Sequence, residues 1–255
     1  MSGKDGSDTL QTTTTSIEIL KFLEKVDGAR VSEIAEGMNR PKSTVYGHLA
    51  TLEKNEFVIQ RGDFYLLGPE LLRLGNHVRT REDGFVLARE FTEQLFEEVR
   101  LRSIFAVEMG GKAVFIHTAS GNKIGWTHER LGNRLHLHNT AVGKAILAEL
   151  PDLQVERIID KWGLPKETKN TITDRESLFA EIEEIREQGY AVNNAENFKE
   201  LHAIGVAATR QSGGIIGGFS VTGPEHSITG GERETELADA VKKIVSEFEL
   251  ELALA

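Results

Sequence analysis

The stretch from Pro41 to Leu52 constrains this chain more than any other. Val45, Leu49 and Leu52 recur at i, i+4 and i+7, so a helix here buries one apolar stripe. Pro41 suits its first turn, where a missing N–H costs nothing. Just ahead, Val31-Ser32-Glu33-Ile34-Ala35-Glu36 reads as a short helix and Gly37-Met38-Asn39-Arg40 as a turn. Two helices so spaced form a helix-turn-helix, whose second helix enters the major groove of DNA. Downstream, Phe57-Val58-Ile59-Gln60, the turn Arg61-Gly62-Asp63 and Phe64-Tyr65-Leu66 read as a two-stranded wing. Upstream, Ile17, Ile19, Leu20, Leu23 and Val26 mark a first helix that stops at Asp27-Gly28.

The charge balance bears on that reading. A net charge of −10 runs against the basic footprint of a DNA-binding protein. Its distribution matters more than its sum. Residues 1–68 hold 8 Lys/Arg against 10 Asp/Glu, yet no acid falls between Glu36 and Glu53. Arg40, Lys42 and His48 lie inside that gap. A helix N-terminus supplies backbone donors for phosphate, while base edges specify sequence. Lys42, Ser43 and Thr44 are accordingly assigned to the backbone and nearby bases, Tyr46 and His48 to the groove, and Arg61 to the wing tip. Arg40 and Gly47 complete the surface.

Length and composition set the remaining bounds. A chain of 255 residues, 39% hydrophobic and 27% charged, suits two unequal globular domains. No apolar run approaches the roughly 20 residues that span a bilayer, so no membrane partner is expected. Residues 1–15 are polar, lack the pattern of a signal peptide and read as a disordered tail. The absence of cysteine fits a reducing compartment, with the cytoplasm as the expected location. No nucleophile elbow or phosphate loop is present, which argues against an enzyme and against a cofactor. His136-x-His138 has metal-ligand spacing, and His117, His128 or an acid could complete such a site, but no metal is assigned.

Residues 16–68 therefore form the expected winged helix-turn-helix. Residues 69–84 form a linker helix with Leu71, Leu72, Leu74 and Val78, and residues 85–255 a second, α+β domain. In the latter a helix from about Val86 to Val99 leads to a hairpin, Ile104 to Met109 and Ala113 to His117, across Gly110-Gly111. Thr173-x-x-Glu176 is a capping-box candidate for a helix ended by Gly189. Strands from Ala203 to Thr209 and Ile215 to Thr222 follow, joined through Ser212-Gly213-Gly214. Leu237, Val241, Ile244, Val245, Phe248 and Leu252 give a last amphipathic helix.

Taken in order, several motifs resemble those of the IclR family of transcriptional regulators, from about Ser16 to Leu252. They are Ser32-Glu33-Ile34-Ala35, Pro41-Lys42-Ser43-Thr44-Val45, Tyr65-Leu66-Leu67-Gly68, the run His138 to Ala148, Gly189-Tyr190-Ala191 with Glu196, and Ser220-Val221-Thr222-Gly223-Pro224. The resemblance implies a winged helix-turn-helix and a GAF-like effector domain, an antiparallel sheet flanked by helices. It also implies a homodimer or dimer of dimers on palindromic double-stranded operator DNA, governed by a small organic or sugar-derived acid. The effector positions it implies are Ile124, Thr127, Leu135, Ala141, Val142, Asn193, Leu201, Ala203, Ser220 and Thr222. Four positions depart from the family's habit: Gly47 stands where arginine is common, His136 where proline is common, Asn193 where an acid is common, and Ala203 where cysteine is common. The alternative reading is a metabolite-binding or interaction protein whose helix-turn-helix no longer reads specific DNA.

Overall fold

The computed structural model of the chain describes residues 9–121 and 131–254. The chain divides into two compact units, Met1–Arg79 and Thr80–Ala255.

The first unit carries α1 (Gln11–Val26), α2 (Val31–Gly37), α3 (Lys42–Lys54), β1 (Val58–Arg61), β2 (Phe64–Leu67) and most of α4 (Pro69–Thr80). Ile19, Leu23, Ile34, Val45, Leu49 and Val58 close around one core. Helix α1 starts earlier than residue 16, because the threonines before it are helical rather than part of a tail. Thr15 is buried and its hydroxyl donates to Gln11 O at 2.9 Å, and Thr14 bonds Leu10 O likewise at 3.3 Å. Between α2 and α3 the Arg40 N–H donates to Ala35 O at 2.9 Å, and Pro41 occupies the N-cap of α3. Strands β1 and β2 are antiparallel, Arg61 facing Phe64, so the turn is Gly62-Asp63 and Arg61 ends the strand. Gly62 takes φ +60, as a tight two-residue turn requires. No residue of α4 is buried, and Leu72, Leu74 and Val78 stand exposed.

Among the described residues the second unit is built on a six-stranded antiparallel sheet. Helix α5 (Asp83–Val99) precedes β3 (Arg102–Glu108), β4 (Lys112–Ala119), β5 (Arg134–His136) and a 3-10 turn, Leu137–Asn139. Helices α6 (Ala141–Glu149), α7 (Asp152–Trp162) and α8 (Arg175–Gln188) follow. Then come β6 (Ala191–Asn194), β7 (His202–Thr209), β8 (Ile215–Gly223), α9 (Glu225–Ile228) and α10 (Glu232–Leu254). The strand order is β5-β4-β3-β8-β7-β6, so two three-stranded meanders meet where β3 pairs with β8.

Both sheet faces are covered, which is why β3, β4 and β8 read as nearly continuous apolar runs instead of alternating ones. Against α5 and α10 lie Phe105, Phe219 and Val221 with Phe91, Leu95 and Phe248. The Phe105 and Phe219 rings meet with centroids 4.8 Å apart. Each such fully buried side chain is worth about 1.5–3 kcal/mol. The other face packs Ile104, Ala106 and Phe115 against α6, α7 and α8.

Helix α6 touches the sheet through backbone. A Cβ on Gly205 would stand 2.6 Å from Val142 N, and one on Gly143 only 2.4 Å from Leu137 O. The cap of α8 is Asp174, whose carboxylate accepts from Ser177 N at 2.9 Å, so Thr173 is not the cap expected from the capping-box pattern. Aspartate one residue later offers the stronger acceptor to the helix start. Gly189 ends α8 at φ +76.

Candidate functional sites

On α3, burial of Val45, Leu49 and Leu52 leaves Lys42, Ser43, Thr44, Tyr46 and Gly47 exposed. Arg61 is exposed at the end of β1. Tyr46 is 60% exposed, far more than a phenol ring needs for packing, and nothing lies within 4 Å of where a Gly47 Cβ would stand. The two remaining positions are tied back into the unit. His48 is half-buried with Nδ1 2.8 Å from Ser16 Oγ on α1, so one ring nitrogen of the residue assigned to the groove bridges two helices. Arg40 sits 3.9 Å from Glu18 across a partly exposed pair, an interaction of small energy that leaves the guanidinium able to move. One cation was missed from sequence: Arg30 lies over the Phe64 ring at 4.4 Å, beside the wing. Its signal was weak, since Arg30 and Phe64 are far apart along the chain.

In the second unit six expected positions surround one internal cavity: Ala141, Val142, Asn193, Ala203, Ser220 and Thr222. Ile104, Phe115, Thr140 and Asn197 complete its wall and were not foreseen as lining residues. Alternation on β7 and β8 accounts for three of them, because Ala203 faces Thr222 in register and Ser220 lies two residues before it. Leu135 instead packs half-buried on β5, and Leu201 closes a turn onto Phe198 O. Ile124 and Thr127 lie outside the described residues. The cavity encloses about 20 Å³, room for about one water molecule.

Half of the lining residues are polar, and most of these are tightly bonded. Thr140 caps α6 by accepting from Gly143 N at 3.1 Å, leaving the N–H groups of the first turn aimed toward the cavity end of the helix. Asn193 Nδ2 donates to Asn139 O at 3.0 Å and to Asn197 Oδ1 at 2.9 Å, while its Oδ1 accepts from Glu196 N at 2.9 Å. Thr222 Oγ1 donates to His202 O at 3.1 Å. Behind this wall, Lys144 is buried and bonds Glu181 at 2.6 Å and Glu196 at 2.7 Å. Burial pushes the Glu196 carboxyl up, and the Lys144 ammonium pulls it back.

The histidine pair takes other partners. His136 Nε2 meets Lys112 Nζ at 2.6 Å, and burial together with that cation holds the imidazole pKa down. His138 is pushed down to about 4, chiefly by burial, with Nε2 3.2 Å from Pro165 O. The rings meet edge to face at 5.4 Å. His117 bonds Phe85 O instead, and His128 lies outside the described residues. Among the described residues no group of three or more His, Asp or Glu side chains is arranged to hold a metal ion.

A winged helix-turn-helix followed in the chain by an α/β unit with a small, part-polar cavity defines a DNA-binding, effector-responsive transcriptional regulator. The IclR helix-turn-helix domain matches residues 15–62, and the bacterial transcriptional regulator IclR C-terminal domain matches residues 78–249. The chain belongs to the IclR family of transcriptional regulators, a family of DNA- and effector-binding proteins and not of enzymes. It is 27% identical over 244 residues to a probable HTH-type transcriptional regulator ArcR of Halobacterium salinarum, covering 94% of this chain and 93% of that one. The crystal structure of the Thermotoga maritima IclR superposes with a TM-score of 0.82 at 29% identity, over 96% of this chain and 100% of that one. An IclR homolog of Microbacterium hydrocarbonoxydans, crystallised with 4-hydroxybenzoate, has the same fold, with a TM-score of 0.78 at 18% identity over 96% and 100% of the two chains. Among the described residues no helix is long and apolar enough to cross a membrane.

Proposed function

We propose that this regulator controls a catabolic or metabolic operon in the cytoplasm, by binding a small organic or sugar-derived acid in the cavity between α6, β6, β7 and β8. The observation that carries this reading is the start of α6. Thr140, Ala141 and Val142 bring unpaired helix N–H groups to a pocket otherwise lined by Asn193, Ser220 and Thr222. Those N–H groups suit a carboxylate, and the amide and hydroxyls suit the rest of a hydroxylated ligand. The 4-hydroxybenzoate held by the Microbacterium homolog is a ligand of this class.

A cavity with room for about one water must open to take such a ligand. The Asn193–Asn197 bond is the contact that yields, so the ligand selects an opened form of the β6–β7 connection. On the DNA side, Lys42, Ser43, Thr44, Tyr46 and Arg61 contact the operator, with Arg40 and Gly47 beside them and His48 supporting the helix from behind. The exposed apolar residues of α4 support assembly as a dimer, and a dimer reads a palindromic operator.

A thermal-shift screen of small organic and sugar acids, followed by gel shifts on the upstream promoter, tests this. The true ligand must stabilise the protein and change operator affinity, and operator must change ligand affinity by the same factor. Equal weak binding to every DNA fragment would instead mark an interaction protein that has lost sequence reading, and would overturn the proposal.

A further inference from the structure

A second concavity, of about 550 Å³, lies against the loop that follows β6 and shares no lining residue with the inner cavity. Its walls come from two loops, residues 166–170 between α7 and α8, and Ala195 and Lys199 between β6 and β7. Three lysines line it, Lys166, Lys169 and Lys199, against one acid, Glu167. None of the three lysines makes an ion pair within 4 Å among the described residues, in a chain whose 40 acids outnumber its 30 bases. On such an acidic surface three unpaired ammonium groups around one hollow are a local excess of positive charge.

The hollow is preorganised. Thr168 Oγ1 donates to Ala195 O at 2.8 Å, and Asn170 Nδ2 donates to Asn194 O at 2.7 Å, so each loop is pinned to the other. Thr171 Oγ1 takes the N–H of Thr168 at 2.8 Å and donates to Glu196 O at 2.6 Å. Loops already cross-bonded lose little backbone freedom when the hollow is filled, so the ordering cost falls on the lysine side chains.

We infer that this hollow is a second ligand site, for a compact polyanion: a small metabolite carrying a phosphate or several carboxylates. The volume falls in the range of small-molecule sites, roughly 300–1,000 Å³. Three mobile ammonium groups suit the diffuse charge of phosphate better than the directed bonds a single carboxylate would need. All three lysines are exposed, which makes the attraction sensitive to salt. The end of β6 and the loop after it alternate between the two sites, Asn193 and Asn197 lining the inner cavity and Ala195 and Lys199 the outer one. Occupation of the outer site therefore biases the same connection that the inner ligand must open, whatever that ligand is.

The test is calorimetric titration of inorganic pyrophosphate into the full chain at low ionic strength, with sodium chloride at matched ionic strength as the blank. One saturable site per chain is expected. The variant Lys166→Gln/Lys169→Gln/Lys199→Gln should weaken it by roughly tenfold or more, a difference of about 1.4 kcal/mol. Lys25→Gln, an exposed lysine on α1, and Ser220→Ala, in the inner cavity, should leave it unchanged. Absence of saturable binding, or binding that the triple variant retains, overturns the site. Loss in Ser220→Ala would move the anion to the inner cavity and overturn the outer site equally. If pyrophosphate fails to bind while the triple variant loses affinity for DNA, the lysines are phosphate-backbone contacts and the proposal falls.

Discussion

Lys144 Nζ stands 2.7 Å from Glu196 Oε1, with the two side chains only 2% and 5% exposed. The pair ties α6 to the connection after β6, so one buried contact spans two walls of the inner cavity. Glu181 adds a second carboxylate at 2.6 Å, while Glu196 Oε2 has no hydrogen-bond partner among the described residues. Removing one partner of a buried ion pair strands the other charge. Lys144→Met should lower unfolding free energy by about 3–5 kcal/mol in urea titrations. Adding Glu196→Gln should recover part of that loss. A Lys144→Met protein as stable as the parent would mean the pair carries no structural weight.

Asn193→Asp tests the amide at the cavity wall. The substitution removes both donors of Nδ2 and sets a carboxylate against Asn139 O and Asn197 Oδ1. Leaving buried acceptors unpaired costs about 1–3 kcal/mol. Chemical denaturation should show that loss, and calorimetry should show weaker binding of any acid effector. Tighter binding of an acid by Asn193→Asp would contradict the assigned polarity of the pocket.

His138 sets a pH dependence whose sign follows from burial. Its folded pKa is pushed from 6.5 down to about 4, so the unfolded chain binds the proton more readily between those values. The stability contributed by neutral His138 is full above about pH 6.5 and is lost as pH falls towards 4. His136 shifts in the same direction and Glu196 in the opposite one, so the comparison must be made against a variant. His138→Gln should show a shallower fall in unfolding free energy from pH 7 to 5. Parallel curves for parent and variant would mean that His138 contributes nothing to the slope.

Gly47 sits in mid-helix with open space where a side chain would be. Gly47→Ala should raise stability by about 1 kcal/mol, read from the thermal midpoint. Gly47→Arg should also fold, and should redirect base preference in a selection from random DNA, because arginine reads guanine edges. Lys42→Ala, by contrast, should weaken all sequences alike and reduce the salt slope of log K by about 1. An unchanged base preference in Gly47→Arg would place that face of α3 away from the bases.

Legibility in the sequence followed the range of the interactions. Helix α3 could be read because Val45, Leu49 and Leu52 state its buried stripe within a few turns. The central strands could be read because both faces are covered and their residues run apolar. Helix α7 carries a weaker local signal: Pro151 before it, Gly163 after it, and Val155 and Ile159 one helical turn apart. What could not be read was contact across the fold. That His48 also meets Ser16 from another helix is not legible in its spacing. Lys144 looks like a surface lysine until Glu196, from a distant loop, arrives to neutralise it. Asn197 and the three lysines of the outer hollow belong to connections whose course has no periodic signature, so their meeting is visible only in the folded chain.

The pairing of Phe105 with Phe219 in the middle of the sheet also orders events on the ribosome. Every strand and helix that closes the first unit's core has been made by Leu67, so that core can close early. The second unit cannot, since β3 waits for β8, nearly the whole domain later, and until then presents a bare apolar edge. Chains that stop short of Ile215 would carry that edge permanently, with strand-to-strand aggregation as the outcome. Biogenesis of this protein is therefore asymmetric: its DNA-reading end matures while its sensing end is still in need of shelter.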